Sequence, residues 1–391
     1  MDTIIAIRRF AVATVICLLL LIASCARWGR EVAEPNVAQQ GQPAEAPNQP
    51  AEPAKQSVEP AVQIQQQQMP GAPVRPAQPE AKTQEQQQQA PEKQAFVLAL
   101  KFNPQDTTRY RAIIEAEKSV QWEGPEPTKP SAFKGGRTGN RIEMTFTQKI
   151  RSVDDKGNAA ADITIESLKY LGKVRDNIIM DFDSSRQKDQ NEPLAKLLGR
   201  SYTIEISPAG QVSKIIDVNQ AKSAVKGVSS SHTTALQLLS ADAIGERHTI
   251  SALDGVDKRQ LHAGDSWSSV KTFSFGMMGS RSLERIYTLK DVTETDNRQI
   301  ATIQMNAIPS SQMAKDLHKE EGSGFFAKMF DNTEAYTGRL TLDLTAGKVE
   351  EYLEQLKIEW VAADQPSDAN DQAPAALKMT AVRLYHVERI R

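Results

Sequence analysis

From Ala95 onward this chain alternates apolar and polar side chains with a period of two. Phe96, Leu98, Leu100 and Phe102 alternate with Val97, Ala99 and Lys101, and Tyr110, Ala112, Ile114, Ala116, Val120 and Trp122 alternate with Arg109, Arg111, Glu115 and Glu117. Ile142, Met144 and Phe146 stand against Arg141, Glu143 and Thr145, and Leu356, Ile358 and Trp360 against Lys357 and Glu359. Successive side chains of a strand point to opposite faces, so each run predicts a strand with one buried and one wet face. Strands of that kind assemble into antiparallel sheets. Asp155-Lys156-Gly157-Asn158, Ala209-Gly210-Gln211 and Ala346-Gly347-Lys348 separate such runs and read as hairpin turns, glycine supplying the positive φ that tight turns need.

The runs recur. Phe146 to Lys149, a turn at Asp154 to Asn158 and Ala161 to Ile165 have a counterpart in Tyr287 to Lys290, a turn near Asp296-Asn297 and Ala301 to Met305, about 140 residues on. Ile204-Glu205-Ile206 followed by Ala209-Gly210 is echoed 137 to 138 residues later by Leu342-Asp343-Leu344 followed by Ala346-Gly347. The expectation is a mainly β (α+β) fold of antiparallel sheets in two related halves, about 93–217 and 260–391, arranged as a pseudo-symmetric sandwich or an open half-barrel. A short helical connection, about 218–259, joins them.

Two helices are predicted. Glu192-Pro193 opens a short one through Leu194, Leu197 and Leu198 that stops at Gly199, proline being tolerated in a first turn. Leu236, Leu239, Ala243 and Ile244 fall at helical spacing and predict a helix from about Thr234 to Ile244, ended by Gly245. Ala314 to Phe330, with Leu317, Phe325, Phe326, Met329 and Phe330 around Gly322-Ser323-Gly324, reads as a loop or broken helix that plugs the sheet or lids a pocket.

Composition changes the picture before Ala95. Glu31 to Pro91 carries 11 of the 20 prolines and the runs Gln65 to Gln68 and Gln86 to Gln89. So little apolar surface cannot offset the entropy of ordering, and the segment reads as an extended tether. Upstream, Arg8 and Arg9 precede the apolar run Phe10 to Ile22, and Ile22-Ala23-Ser24-Cys25 closes it, which are the parts of a secretory signal. The order resembles the signal and lipobox of bacterial lipoproteins. That resemblance implies removal of 1–24 and a diacylglyceryl group on Cys25, which would begin a lipidated tether, 25–92, ahead of a β-rich domain, 93–391. An uncleaved anchor and a secreted, unlipidated chain are the alternatives. Cys17 would leave with the signal, so no disulfide framework is expected.

Chemistry is sought with little result. His232, His248, His262, His318 and His386 lack the paired spacing of metal ligands, so no metal and no cofactor are expected. Gly264-Asp265-Ser266-Trp267 with His262 nearby could be imagined as a serine hydrolase, but it reads as a glycine turn entering a strand near Ser266, with Trp267 as a core aromatic. Asp154 to Asn158 lacks the alternating ligands and twelfth-position glutamate of a calcium loop. Gly276-Met277-Met278-Gly279 reads as a turn rather than a soft tip for a partner or lipid. With 47 basic and 49 acidic residues interspersed, and Lys129, Lys134 and Arg137 in a Pro/Gly-rich connection, no nucleic-acid partner is expected.

A lipobox, a low-complexity tail and a duplicated hairpin domain, with Phe182-Asp183-Ser184 before the first helix and Gly264-Asp265-Ser266-Trp267 opening the second half, resemble an uncharacterised family of bacterial lipoproteins. That resemblance implies no assigned activity. The expected function is therefore a non-catalytic binding or scaffolding module, anchored in a cell-envelope membrane through acyl chains on Cys25, with the outer membrane preferred. Its expected partners are an envelope protein, a cell-wall polymer or a lipid, and its ligand-binding residues are unknown. The alternative is a carrier or sensor of a lipid or other apolar ligand, which needs an apolar concave face left unfilled.

Overall fold

A computed structural model describes residues 94–124, 133–310, 331–363 and 376–390. Residues 1–24 (read as a signal), Cys25, the segment 25–92 (read as a tether), Lys129, His318 and the segment Ala314 to Phe330 lie outside the described residues, which begin at 94.

Twelve strands are described: β1 (Thr107–Glu123), β2 (Gly136–Val153), β3 (Ala159–Val174), β4 (Asn177–Asp183), β5 (Ser201–Ile206), β6 (Val212–Asp217), β7 (Ser266–Ser274), β8 (Ser280–Thr295), β9 (Arg298–Pro309), β10 (Asp331–Asp343), β11 (Lys348–Ala363) and β12 (Ala376–Ile390). All belong to one antiparallel sheet in the order β6-β5-β3-β2-β1-β12-β11-β10-β9-β8-β7, with β4 paired to β3 off this path. The expected antiparallel architecture is present, but a sandwich is not. The two halves join edge to edge along β1 and β12, in register from Arg109 opposite Ile390 to Glu123 opposite Ala376. Two separate sheets would have exposed both of those long edges, whose backbone donors and acceptors the junction pairs instead.

The sheet is not closed into a barrel, since β6 and β7 end it. It is nevertheless curled enough to bring the inner faces of β7 and its flanking turn against β10 and β11, which are not its neighbours. The Phe275 ring lies 5.2 Å from Trp360 and the Phe273 ring 5.4 Å from Tyr336, both edge-on. The alternation read from sequence is the burial pattern. On the outer face Arg109 pairs with Glu166 and Arg141 with Glu115, while the inward Tyr110, Ala112, Met144 and Phe146 are buried.

The halves repeat one order. β1-β2-β3-β5-β6 and β7-β8-β9-β10-β11 are each laid side by side in sequence order and in the same sense, with β12 between them. Details recur as well. The β5–β6 ladder shifts register at Thr203/Ile204 and the β10–β11 ladder at Thr341/Leu342. Just before β1, the Gln105 N–H donates to Ile150 O and the Ile150 N–H to Asp106 O; just before β7, Gly264 and Asp265 make the same pair of bonds with Leu289.

Two predicted elements need correction. Phe96 to Phe102 is not a strand: it makes one isolated bridge, Phe96 to Leu261, and then crosses the hairpin ends, Leu100 N–H donating to Pro208 O and Lys101 N–H to Gly347 O. Its alternation reports one-sided burial of an extended segment, with Leu98 fully buried, and burial does not require ladder pairing. The single helix predicted over Thr234 to Ile244 is two, α2 (Ser230–Leu238) and α3 (Ala241–His248), preceded by α1 (Asn219–Ala224). Ser229 Oγ accepts from His232 N–H and Ser240 Oγ from Ala243 N–H, so each serine starts its own helix. Gly245 lies inside α3 and does not end it. Pro193–Leu197 is a short 3-10 turn with Leu194 and Leu197 buried, at the point where β3 changes partner from β4 to β5.

Candidate functional site

Cross-strand register places one row of inward side chains across the middle of the sheet: Tyr170 on β3, Ile142 on β2, Ile114 on β1, Tyr385 on β12 and Glu354 on β11. The next row holds Asn140, Ala116, Arg383, Leu356 and Tyr336. Glu354 lies opposite Gly338 on β10, where an added Cβ would come 2.7 Å from Leu353 O and 3.0 Å from the Met305 methyl. On the curled side, Lys271 and Phe273 on β7 and Arg285 on β8 point into the same space. Charged residues thus stand at core-facing parity on four strands.

Glu354 is the hub. Its carboxylate meets Arg285 Nη1 at 3.2 Å and Lys271 Nζ at 3.9 Å, and accepts hydrogen bonds from the hydroxyls of Tyr336 and Tyr352. Arg285 Nη2 also donates to Ser269 Oγ at 2.9 Å. The side chains of Arg285 and Glu354 retain 7% and 6% exposure, so water screens this pair little. Burial is the largest influence on Glu354 and works to raise its pKa, but Lys271, Arg285 and the two hydroxyls together hold it below the ordinary carboxylate value. Burial and the adjacent carboxylate push the Tyr336 and Tyr352 phenols well above the ordinary tyrosine value, so both remain donors.

This belt forms one side of a cavity of about 310 Å³ that α2 and α3 cover from the other. Its polar wall includes Lys271, Glu354, Arg383, Tyr336 and Tyr385, its apolar wall Ile114, Ile142, Leu238, Leu356 and Leu384, and Asp242 and Glu246 stand exposed on the helical rim. The size is at the lower end of the ~300–1,000 Å³ typical of small-molecule sites, and convergent polar groups on an apolar ground are their usual lining.

Behind the cavity, α3 ends in a second buried network. Arg247 Nη1 donates to Tyr202 Oη at 2.9 Å, Arg247 Nη2 to Leu238 O at 2.7 Å, and Tyr385 Oη to Arg247 O at 2.8 Å. Because arginine only donates, the single Tyr202 hydroxyl proton is directed to His248 Nε2, 2.6 Å away. Burial first, and Arg247 second, hold His248 well below the ordinary histidine pKa, so it is a neutral acceptor. Phe146 packs against its ring at 4.8 Å.

The motifs singled out in sequence lie elsewhere. β7 starts at Ser266 as expected; Ser266 Oγ pairs with Thr288 Oγ1 at 2.8 Å, and His262 Nδ1 is 3.4 Å from Asp265 within the turn. Trp267 is a buried aromatic that stacks on Tyr287 at 5.8 Å and donates to Ala252 O at 3.0 Å. Asp154 to Asn158 is the β2–β3 turn, with the Asp154 carboxylate accepting from the Lys156 and Asn158 N–H groups. Met278 is buried in the β7–β8 turn. His386 reaches Glu351 at 3.2 Å, away from the cavity row, and no cluster of metal-ligating residues occurs among the described residues.

Sequence reasoning missed the polar belt, although parity carried its signal. Lys271 stands between Ser269 and Phe273, Arg285 between Leu283 and Tyr287, Glu354 between Tyr352 and Leu356, and Arg383 between Ala381 and Tyr385, each at the position of a core residue.

Fold and site together define an antiparallel β protein with a ligand-sized, charge-bearing cavity. A family model described as a family of unknown function, DUF6263, matches residues 156–349, from the β2–β3 turn to the start of β11. The chain is similar to that family over a segment that includes Lys271 and Arg285 but neither Glu354 nor Arg383. No curated protein sequence matches the chain. A solved structure described as lipid-protein interactions in lipovitellin aligns over 74% of this chain at 12% identity and a TM-score of 0.35. This chain spans 26% of that one, and at such a score no common fold is defined.

Proposed function

We propose that this protein is a non-catalytic binding module of the cell envelope, tethered to a membrane through an acylated Cys25, whose β domain holds a small ligand in the cavity under α2 and α3. The observation that carries the binding role is the cavity itself: an apolar wall faced by a belt of charged and phenolic groups held in place by the Glu354 hub. A purely apolar cargo would leave that belt desolvated against hydrocarbon, a cost that the alternative, a carrier or sensor of an apolar ligand, has to meet. The apolar wall still favours a ligand with an apolar portion. A binding rather than a catalytic role is supported by the closed bonding of Glu354, whose two oxygens are engaged by Arg285, Tyr336 and Tyr352. The repeated strand order, matched register shifts and matched bonds before β1 and β7 support an origin of the domain by duplication of a hairpin unit.

Native mass spectrometry of the full chain tests the cavity. A co-purifying small molecule is expected that is lost when Leu356→Trp fills the space. A bare mass in the wild type, with no gain of thermal stability from any amphiphile, would remove the binding role. For the anchor, Cys25→Ser should abolish membrane partition and the acyl mass; a variant that stays in the membrane with unchanged mass refutes lipidation. Among the described residues no helix is long and apolar enough to cross a membrane.

A further inference from the structure

We propose that the cavity binds an amphiphilic organic anion, with Arg383 and Lys271 receiving its oxyanion head and the Ile114, Ile142, Leu238 and Leu356 wall receiving its apolar body. This deepens the cavity reading above and rests on it. The Arg383 guanidinium carbon lies 5.2 Å from the centre of the Phe273 ring, and Lys271 Nζ lies 5.4 Å from the same centre. One buried ring thus holds two cations at the cavity wall, with Arg285 a third behind them, and Glu354 is the carboxylate that Lys271 and Arg285 share.

Arg383 is different from the other two. It sits between Ala116 and Leu356 in the ladders, neighbours that offer it no polar side chain. Among the described residues its Nε is shut off from water without a hydrogen-bond partner, as is that of Arg285, but unlike Arg285 and Lys271 it has no carboxylate within ion-pair reach. A half-buried guanidinium held over an aromatic ring, without a counter-charge among the described residues, is well placed to receive an arriving oxyanion. Its planar fork matches carboxylate or phosphate oxygens in a bidentate way, and the neighbouring ammonium adds a point charge. Asp242 and Glu246 at the exposed rim disfavour polyanions, which leaves a ligand with a single charged head as the fit. A volume of about 310 Å³ suits one short chain rather than a two-chain lipid.

The test is calorimetric titration of the full chain carrying Cys25→Ser, so that no acyl group competes, with decanoate, decyl phosphate and decanol, each below its aggregation limit. At least one anion is expected to bind about 10- to 100-fold more tightly than decanol, the range of a charge-assisted pair of hydrogen bonds. Which anion does so separates a carboxylate from a phosphate head. Arg383→Met should erase that preference while decanol still binds, showing that the cavity persists; Arg383→Lys should keep part of it. Decanol binding as tightly as both anions, or a preference unchanged in Arg383→Met, overturns the head-group assignment and leaves the cavity reading standing. If none of the three binds, both fall. If Arg383→Met loses decanol as well, Arg383→Lys decides: decanol binding retained with the anion preference lost overturns the assignment, and both retained uphold it.

Discussion

Glu354→Gln is the sharpest probe of the buried belt. The change preserves shape and leaves an amide oxygen for one of the Tyr336 and Tyr352 hydroxyls, which meet different carboxylate oxygens, but it removes the only carboxylate among the described residues that meets Arg285 and Lys271. Because the Glu354 and Arg285 side chains keep only 6% and 7% exposure, the uncompensated guanidinium cannot turn to water, and breaking such a pair from one side costs about 3–5 kcal/mol. Urea unfolding of the full chain at pH 7, followed by the fluorescence of the buried Trp267 and Trp360, reads that loss directly. The sign with pH follows from the lowered pKa of Glu354. Its ionised form contributes fully above its unfolded value, about 4.3, and the contribution is lost as pH falls through the lower folded value. The wild type should therefore approach the Gln variant in stability only below about pH 4. Adding Arg285→Met to Glu354→Gln should recover part of the loss, since no buried charge of that pair is then left alone and the amide oxygen still serves one tyrosine hydroxyl. A cost for Glu354→Gln below about 1 kcal/mol, the level of an exposed pair, would refute the buried hub.

Three further outcomes are expected. His248 is neutral when folded, with its pKa depressed, so its stabilising contribution is present above its unfolded value near 6.5 and falls by up to about 1.4 kcal/mol per pH unit below it; thermal melts from pH 7.5 to 5 should show this slope, and His248→Gln should flatten it. Gly347→Ala forces a side chain at φ +61° into the backbone and side chain of Lys101, whereas Gly199→Ala at φ +69° meets open space, so the second should cost about 1 kcal/mol and the first clearly more; equal losses in urea unfolding would contradict the packing of Lys101 on that turn. Ser240→Ala removes the cap of α3 and should cost about 1 kcal/mol, while the exposed Arg109→Ala, which breaks the pair with Glu166, should cost less than about 1 kcal/mol, both read by thermal unfolding.

The strands and their faces were legible in the sequence because side-chain direction alternates locally. Parity alone told that Ile114, Met144 and Trp360 face inward, that Asp154 to Asn158 turns, and that the sheet is antiparallel. Phe146 to Ile165 and Tyr287 to Met305 were each legible as hairpins for the same reason, since a hairpin is specified by its own turn and its own alternation. Local reading failed where alternation has two causes: Phe96 to Phe102 alternates because one side of it is buried, and whether such a segment also pairs depends on which edges are free. It failed again at α2 and α3, where apolar spacing ran through a boundary that Ser240 decides. What the chain could not display is which distant strands meet. The β1–β12 junction joins segments from opposite ends of the domain, and the curl that carries β7 toward β11 is a property of the whole sheet. Lys271 and Arg285 come from one hairpin and Glu354 and Arg383 from another pair of neighbouring strands, Arg285 and Glu354 lying 69 residues apart. Each by itself reads as an interruption in an apolar face, and only the curl of that open sheet makes of them one charged wall of one cavity.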